Sequence, residues 1–157
     1  MSIEIKILPE RILLGRSASF IAARMPGANG PQVIGPLWDE MSKEYFSMQL
    51  NRAEWPLGIG AMWNVGDGSD GEMIYFAGYE IFEIPENAGN LEVLTLDEDK
   101  YACVTHVGPM AELSNTISSF YSTSLPESGL ARRPGMDLEV YEEVGEVSRV
   151  VIAAPIA

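Results

Sequence analysis

The sequence is short of the residues on which most metal and redox chemistry depends. Its 157 residues include one histidine and one cysteine. A single histidine excludes any centre built on several imidazole ligands. A single cysteine, Cys103, excludes an internal disulfide. It sits in the apolar run YACVTHV (101–107), where it reads as a small core residue. Positive charge is scarce as well. Ten Lys and Arg stand against 23 Asp and Glu, a formal net charge of −13. Such a surface repels phosphate backbones and anionic lipid, which argues against direct nucleic-acid or membrane binding. No apolar run is long enough to suggest a membrane span. The N-terminal MSIEIKILPE lacks the basic start, apolar block and small-residue cleavage site of a signal peptide. With one unpaired cysteine, the expected compartment is the cytoplasm.

The familiar catalytic signatures are missing too. GIGAMW (58–63) has no third glycine and no following helix, so it is no dinucleotide fingerprint. No phosphate loop of the GKS or GKT type occurs. GDGSDGE (66–72) has the composition of a calcium loop but not its ligand spacing, and it reads as a hairpin loop. Cys103 and His106 are three apart on one strand, so their side chains leave opposite faces and make a poor nucleophile–base pair. His106 reads as a strand-end residue beside the turn at Gly108-Pro109. No cofactor and no metal are expected.

What is present is a core and a repeated pattern. Hydrophobic residues make up 46% of the chain, and its length suits one domain, residues 1–157. IEIKIL (3–8) alternates like a half-buried strand, ProGlu makes a turn, and a second strand opens at Arg11. LEVLTL (91–96), a charged turn and a strand opening at Lys100 repeat that order. A hairpin is expected in each place, and each leads to a helix. Ile34, Leu37, Trp38, Met41, Tyr45 and Met48 form one helical stripe; Met110, Leu113, Ile117 and Phe120 form another, after Gly108-Pro109. Each helix leads to a further strand pair, 57–63 with 73–82 and 136–143 with 148–156. The reading is an α+β fold of duplicated strand–strand–helix–strand–strand units related by a pseudo-two-fold axis. The half-repeats run about 1–84 and 91–157, joined by PENAGN (85–90). The sheet is antiparallel, with helices on one face and a central ligand groove.

DLEVYEE (137–143) places one acid, Glu139, between two aliphatic residues of a strand. By alternation alone, Leu138 and Val140 face a core while Glu139 and Tyr141 face water. The repeat sets Gly60 at the position of Glu139, which removes bulk beside the acid, and Tyr141 shares its face. Trp38, Tyr45, Tyr79 and Phe120 can supply aromatic surface, and Met62 an adaptable lining. Each of these also suits an ordinary core. Trp55, before Pro56, reads as a loop residue that could act as a lid.

HVGPMAEL (106–113), LPESGL (125–130) and DLEVYEE, in this order, resemble the GyrI-like bacterial effector-binding domain. That domain is the ligand-binding half of AraC-type and MerR-type drug-responsive regulators. YFAGYEI (75–81) and the terminal IAAPI fit the same pattern, so the resemblance runs from about Ile3 to Ile156. It implies a pocket for lipophilic, often cationic compounds, with a central glutamate at Glu139 and aromatic walls. Two departures stand out. The first strand begins near Ser2, which implies a stand-alone form acting on transcription only through a partner. MPGANGP (25–31) also replaces the family's short helix entry.

The expected function is therefore a binding or sequestering protein for lipophilic cations, with a protein partner or homodimer allowed. Two alternatives use the same chain differently. One is a hydrolase of strained, cyclopropane-bearing compounds, with Glu139 as base or nucleophile and Tyr141 assisting. The other is an acidic interaction protein that inhibits a DNA-binding enzyme.

Overall fold

The computed structural model describes residues 2–50 and 56–157. Its elements in chain order are β1 (Glu4–Leu8), β2 (Arg11–Ile21), α1 (Gly30–Ser47), β3 (Gly58–Asn64), β4 (Glu72–Ile81), β5 (Glu92–Leu96) and β6 (Asp99–Gly108). A helical segment follows, with α2 (Leu113–Ser119) and α3 (Leu125–Glu127), then β7 (Asp137–Glu143) and β8 (Ser148–Pro155). The α+β class and the antiparallel pairing are as expected. Trp55 lies outside the described residues.

The chain divides into two compact units, Arg11–Leu96 and Met1–Glu10 with Asp97–Ala157. In the first, the antiparallel strands run in the order β3, β4, β2, β5. In the second they run β1, β6, β8, β7.

These pairings correct one expectation. Neither β1–β2 nor β5–β6 forms a hairpin. β1 pairs with β6, with Glu4 opposite Cys103 and Leu8 opposite Asp99. β5 pairs with β2, with Arg11 opposite Leu96 and Gly15 opposite Glu92. The linkers explain why. Tight two-residue hairpins need positive φ, hence glycine or asparagine, in the turn. Pro9-Glu10 and Asp97-Glu98 offer neither, and proline holds φ near −65°. Gln49 is the non-glycine residue at positive φ among the described residues, so none of these four adopts it. The chain crosses from one unit to the other at both links instead of turning back.

In the unit Arg11–Leu96, α1 lies on one face of the sheet. Leu37, Met41 and Tyr45 pack against Leu14 of β2 and Tyr75, Ala77 and Tyr79 of β4. Gly15 and Gly78 stand opposite each other, and a Cβ on Gly15 would lie 1.9 Å from the Ala77 carbonyl oxygen. The start of α1 is tied down by Asn29, whose side-chain oxygen accepts from the Ile21 amide at 2.7 Å.

In the other unit, the helical segment covers β6 and β8. Leu113, Phe120 and Leu125 pack on Ala102, Val104, Val150, Ile152 and Ala154. This segment is not the single α-helix that the stripe predicts. It opens with a 3-10 turn at Met110–Glu112 and passes through a wider π turn at Phe120–Ser124. There the Leu125 amide donates to the Phe120 carbonyl, five residues back. Pro126 accounts for the widening. It has no amide proton for the Ser122 carbonyl, and its ring would strike that carbonyl in α geometry. His106 is buried at the start of the segment. Its Nε2 lies 3.0 Å from the Pro109 carbonyl oxygen and its Nδ1 2.7 Å from Thr116 Oγ1. Since a carbonyl only accepts, Nε2 donates to Pro109, and Nδ1 shares a hydrogen bond with the threonine hydroxyl. His106 thus ties the strand end to the helix, a structural role.

Candidate functional site

β7 determines where its acids point. Glu139 stands opposite Ile152 and Tyr141 opposite Val150, and both partners belong to the core beneath the helical segment. Residues two apart share a face, so Asp137, Glu139 and Tyr141 form one row on that helix-bearing face. Glu139 is 9% exposed and Asp137 is 5% exposed. The solvated reading of Glu139, drawn from alternation alone, does not hold.

Each acid has a defined hydrogen-bond environment. The Tyr141 hydroxyl donates to Glu139 Oε1 at 2.9 Å. This hydroxyl orients the Glu139 side chain on its face of the strand. Asp137 is held differently. The Arg132 guanidinium engages both of its oxygens, Nε at 3.2 Å from Oδ2 and Nη2 on Oδ1, a bidentate charged pair. The Tyr121 hydroxyl also donates to Asp137 Oδ2. Burial pushes the Tyr121 phenol well above its usual range; Arg132 opposes this shift and the charge on Glu139 adds to it. Tyr121 therefore remains a proton donor at neutral pH.

The unit Arg11–Leu96 carries rings instead of acids. Trp38 of α1 donates from Nε1 to the Tyr75 hydroxyl at 3.0 Å. Its ring lies edge-on to Tyr75 at 6.5 Å and to Tyr79 at 6.1 Å between centroids. Tyr79 also packs on Tyr45 at 4.7 Å and on Phe46 at 5.5 Å. The Tyr79 hydroxyl shares a hydrogen bond with Ser42 Oγ at 2.9 Å. A Cβ at Gly58 would lie 3.5 Å from the Trp38 ring, an ordinary van der Waals contact, so the indole sits against β3 at this position. Met62, opposite Tyr75 on β3, packs against the same cluster while half-buried. Gly60 is buried opposite Ala77.

The sequence-derived residues thus fall into two groups. Trp38, Tyr45, Tyr79 and Met62 gather in one cluster with α1. Glu139 and Tyr141 bond directly to each other on β7. Phe120 is fully enclosed, at 0% exposure, in the core beside them. Five contributors were missed: Tyr75, Phe46, Asp137, Tyr121 and Arg132. The period-2 rule that paired Glu139 with Tyr141 also reaches Asp137, and in β4 it reaches Tyr75 from Tyr79. Tyr121 carries no such signal, because the π turn sets its direction. Among the described residues no group of His, Cys, Asp and Glu is arranged to hold a metal ion, and no helix is long and apolar enough to cross a membrane. The GDGSDGE stretch is a turn-rich link between β3 and β4. Within it Asp67 accepts from the Ser69 amide and Asp70 from the Glu72 amide.

Comparison with known proteins supplies the context for these groups. The sequence model of the GyrI-like small molecule binding domain matches residues 1–149. The transcriptional regulator BrlR of Pseudomonas aeruginosa is 28% identical over 143 residues, 88% of this chain and 50% of that protein. The chain therefore spans about half the length of this curated relative. A structure of SAV2435 bound to tetraphenylphosphonium superposes with a TM-score of 0.74 at 16% identity, over 100% of this chain and 94% of that one. A hydrolase from Listeria innocua superposes with a TM-score of 0.52 at 12% identity, over 99% and 91% of the two chains. At these identities the two structures establish the fold.

Proposed function

This chain belongs to the GyrI-like small molecule binding domain family, and from that premise we propose that it binds or sequesters lipophilic cations through Glu139 and aromatic side chains. The observation that carries the reading is the state of Glu139. It is buried on the helix-bearing face and oriented by the Tyr141 hydroxyl. Asp137, two residues away on the same face, is held by Arg132. A cation about 4 Å from such a carboxylate gains roughly 4 kcal/mol at an effective dielectric near 20, before desolvation. A ring face adds roughly 0.5–2 kcal/mol per good cation contact. Tyr141, on the same face of β7, is the ring proposed for that role. The tetraphenylphosphonium held by the structurally similar SAV2435 is a bulky lipophilic cation of the proposed class. The net charge of −13 favours the same sign of ligand and disfavours nucleic acid. A reduced, buried Cys103 suits a cytoplasmic setting.

Two probes of equal shape and opposite charge test this: tetraphenylphosphonium and tetraphenylborate, titrated by tryptophan fluorescence and calorimetry. The cation should bind with clear preference. Glu139→Gln should cost about 2–4 kcal/mol of cation affinity, the scale for losing one partner of a desolvated charge pair. Glu142→Gln is the control, since that side chain is 43% exposed beside Arg149. Equal affinity for both probes, or equal effects of the two substitutions, would overturn the reading.

A second reading uses the same pair. A tyrosine hydroxyl 2.9 Å from a buried carboxylate is also an arrangement for proton transfer. If the protein is a hydrolase, a cyclopropane-bearing compound should be consumed over many turnovers. Stoichiometric binding without product would exclude it.

A further inference from the structure

We propose that the chain forms a two-fold dimer through β1, which pairs antiparallel with β1 of a second copy about Ile5. β1 stands at the end of its unit's strand order, with β6 on its one paired side. Among the described residues no strand pairs with its other edge, which leaves a template for a further strand. The edge is also apolar: Ile5 is 54% exposed and Ile7 is 61% exposed. Exposed edges normally carry charge or proline that discourages pairing. Here the charges favour it in one register.

In an antiparallel pair, residues directly opposite each other share a face, so each register has a pivot residue opposite itself. A pivot at Lys6 sets Lys6 against the partner's Lys6, and a pivot at Glu4 sets two glutamates together. A pivot at Ile5 sets Glu4 opposite the partner's Lys6 and Lys6 opposite the partner's Glu4. It also places Ile5 against the partner's Ile5 and Ile3 against the partner's Ile7. Both charge pairs and both aliphatic contacts then fall into place at once. Within one chain Lys6 Nζ already lies 3.7 Å from Glu4 Oε2, so the dimer would close a ring of four alternating charges.

β5, which ends the strand order of the unit Arg11–Leu96, offers no such match. β5 reads EVLTL, without a basic residue, and its Glu92 accepts from Ser17 Oγ at 3.0 Å. A β1-to-β5 contact between copies would also run head to tail and leave edges open, giving filaments instead of a closed pair. A five-residue strand pair is a small interface, so the dimer is weak and concentration-dependent. Repulsion between two copies of charge −13 is screened beyond about 8 Å at physiological salt, which leaves the short-range pairs to decide.

Sedimentation velocity on the full chain, from about 10 µM to about 1 mM, tests this at moderate salt. The native protein should shift from monomer to dimer and stop there. Lys6→Glu should raise the dissociation constant about tenfold or more, since every cross-strand charge contact becomes repulsive. Glu4→Lys should do the same. Combining both substitutions in one chain should restore the dimer, as should an equimolar mixture of the two single variants. Far-UV circular dichroism confirms that each variant is folded. A native protein that remains monomeric, growth beyond the dimer, or a double variant that fails to recover would each overturn the proposal.

Discussion

The two units of this protein solve one packing problem with different chemistry. Each contributes four antiparallel strands with a helical segment on one face, and β5 and β1 end their respective strand orders. Beneath α1 the face is lined by rings, with Trp38, Tyr45, Tyr75 and Tyr79 packed edge-on or tilted. Beneath the other helical segment lies a row of oxygen atoms, from Asp137, Glu139 and Tyr141, joined by Tyr121. The ring-lined face needs few hydrogen bonds to be stable. The acid-lined face needs every one, because a buried carboxylate without a donor is costly. A shared architecture therefore does not imply shared tolerance to substitution, and the contrast can be tested from its largest expected effect downward.

The largest effect is expected at Phe120. It is fully buried among aliphatic residues, so Phe120→Ala should cost about 3–5 kcal/mol in urea unfolding. A cost below about 1 kcal/mol, with weakened ligand binding, would instead make Phe120 part of the ligand surface. Next comes the direct comparison of the two faces. Asp137→Asn weakens a bidentate pair and a phenol contact, and should cost about 1.5–3 kcal/mol. Trp38→Phe removes one neutral hydrogen bond and should cost about 1 kcal/mol. If the tryptophan substitution proves the more damaging in thermal unfolding, the contrast between the faces is wrong.

The smallest effect concerns alkaline pH. Burial raises the Cys103 thiol to about 11 and also raises the phenols of Tyr101 and Tyr121, all in the unit holding β6. An acid whose folded pKa is raised keeps its proton after the unfolded chain has released it. The stability it contributes is full below the unfolded pKa and is lost as pH rises above it. Tm should therefore fall between about pH 9 and about pH 11, and Cys103→Ala should flatten part of that fall. A thiol reagent at neutral pH should leave native Cys103 unmodified, and rapid labelling would show that its burial is incomplete.

The sequence carried the elements well because their signals are local. Alternation marks each strand, and the apolar stripe over residues 34–48 marks α1. Side-chain parity on β7 places Glu139 and Tyr141 on one face from the sequence alone. The same parity, carried two residues further, would have brought in Asp137. It could not say that this face is closed to water, because burial depends on what packs above it. Phe120 and Tyr121 show the limit from the helical side. Their relative directions follow from a π turn that Pro126 imposes, and a stripe drawn at 3.6 residues per turn does not contain it.

Pairing was the part that only the tertiary structure decided. The sequence by itself determined that β1 and β2 are strands joined by two residues. It also contained, in Pro9-Glu10 and Asp97-Glu98, the absence of any residue suited to a tight reversal. Which strand each would meet was settled at a distance, with β1 meeting β6 and β5 meeting β2. Strand pairing is a contact between segments far apart in the chain. Its free energy comes from side chains on both partners, so no single stretch of sequence contains it.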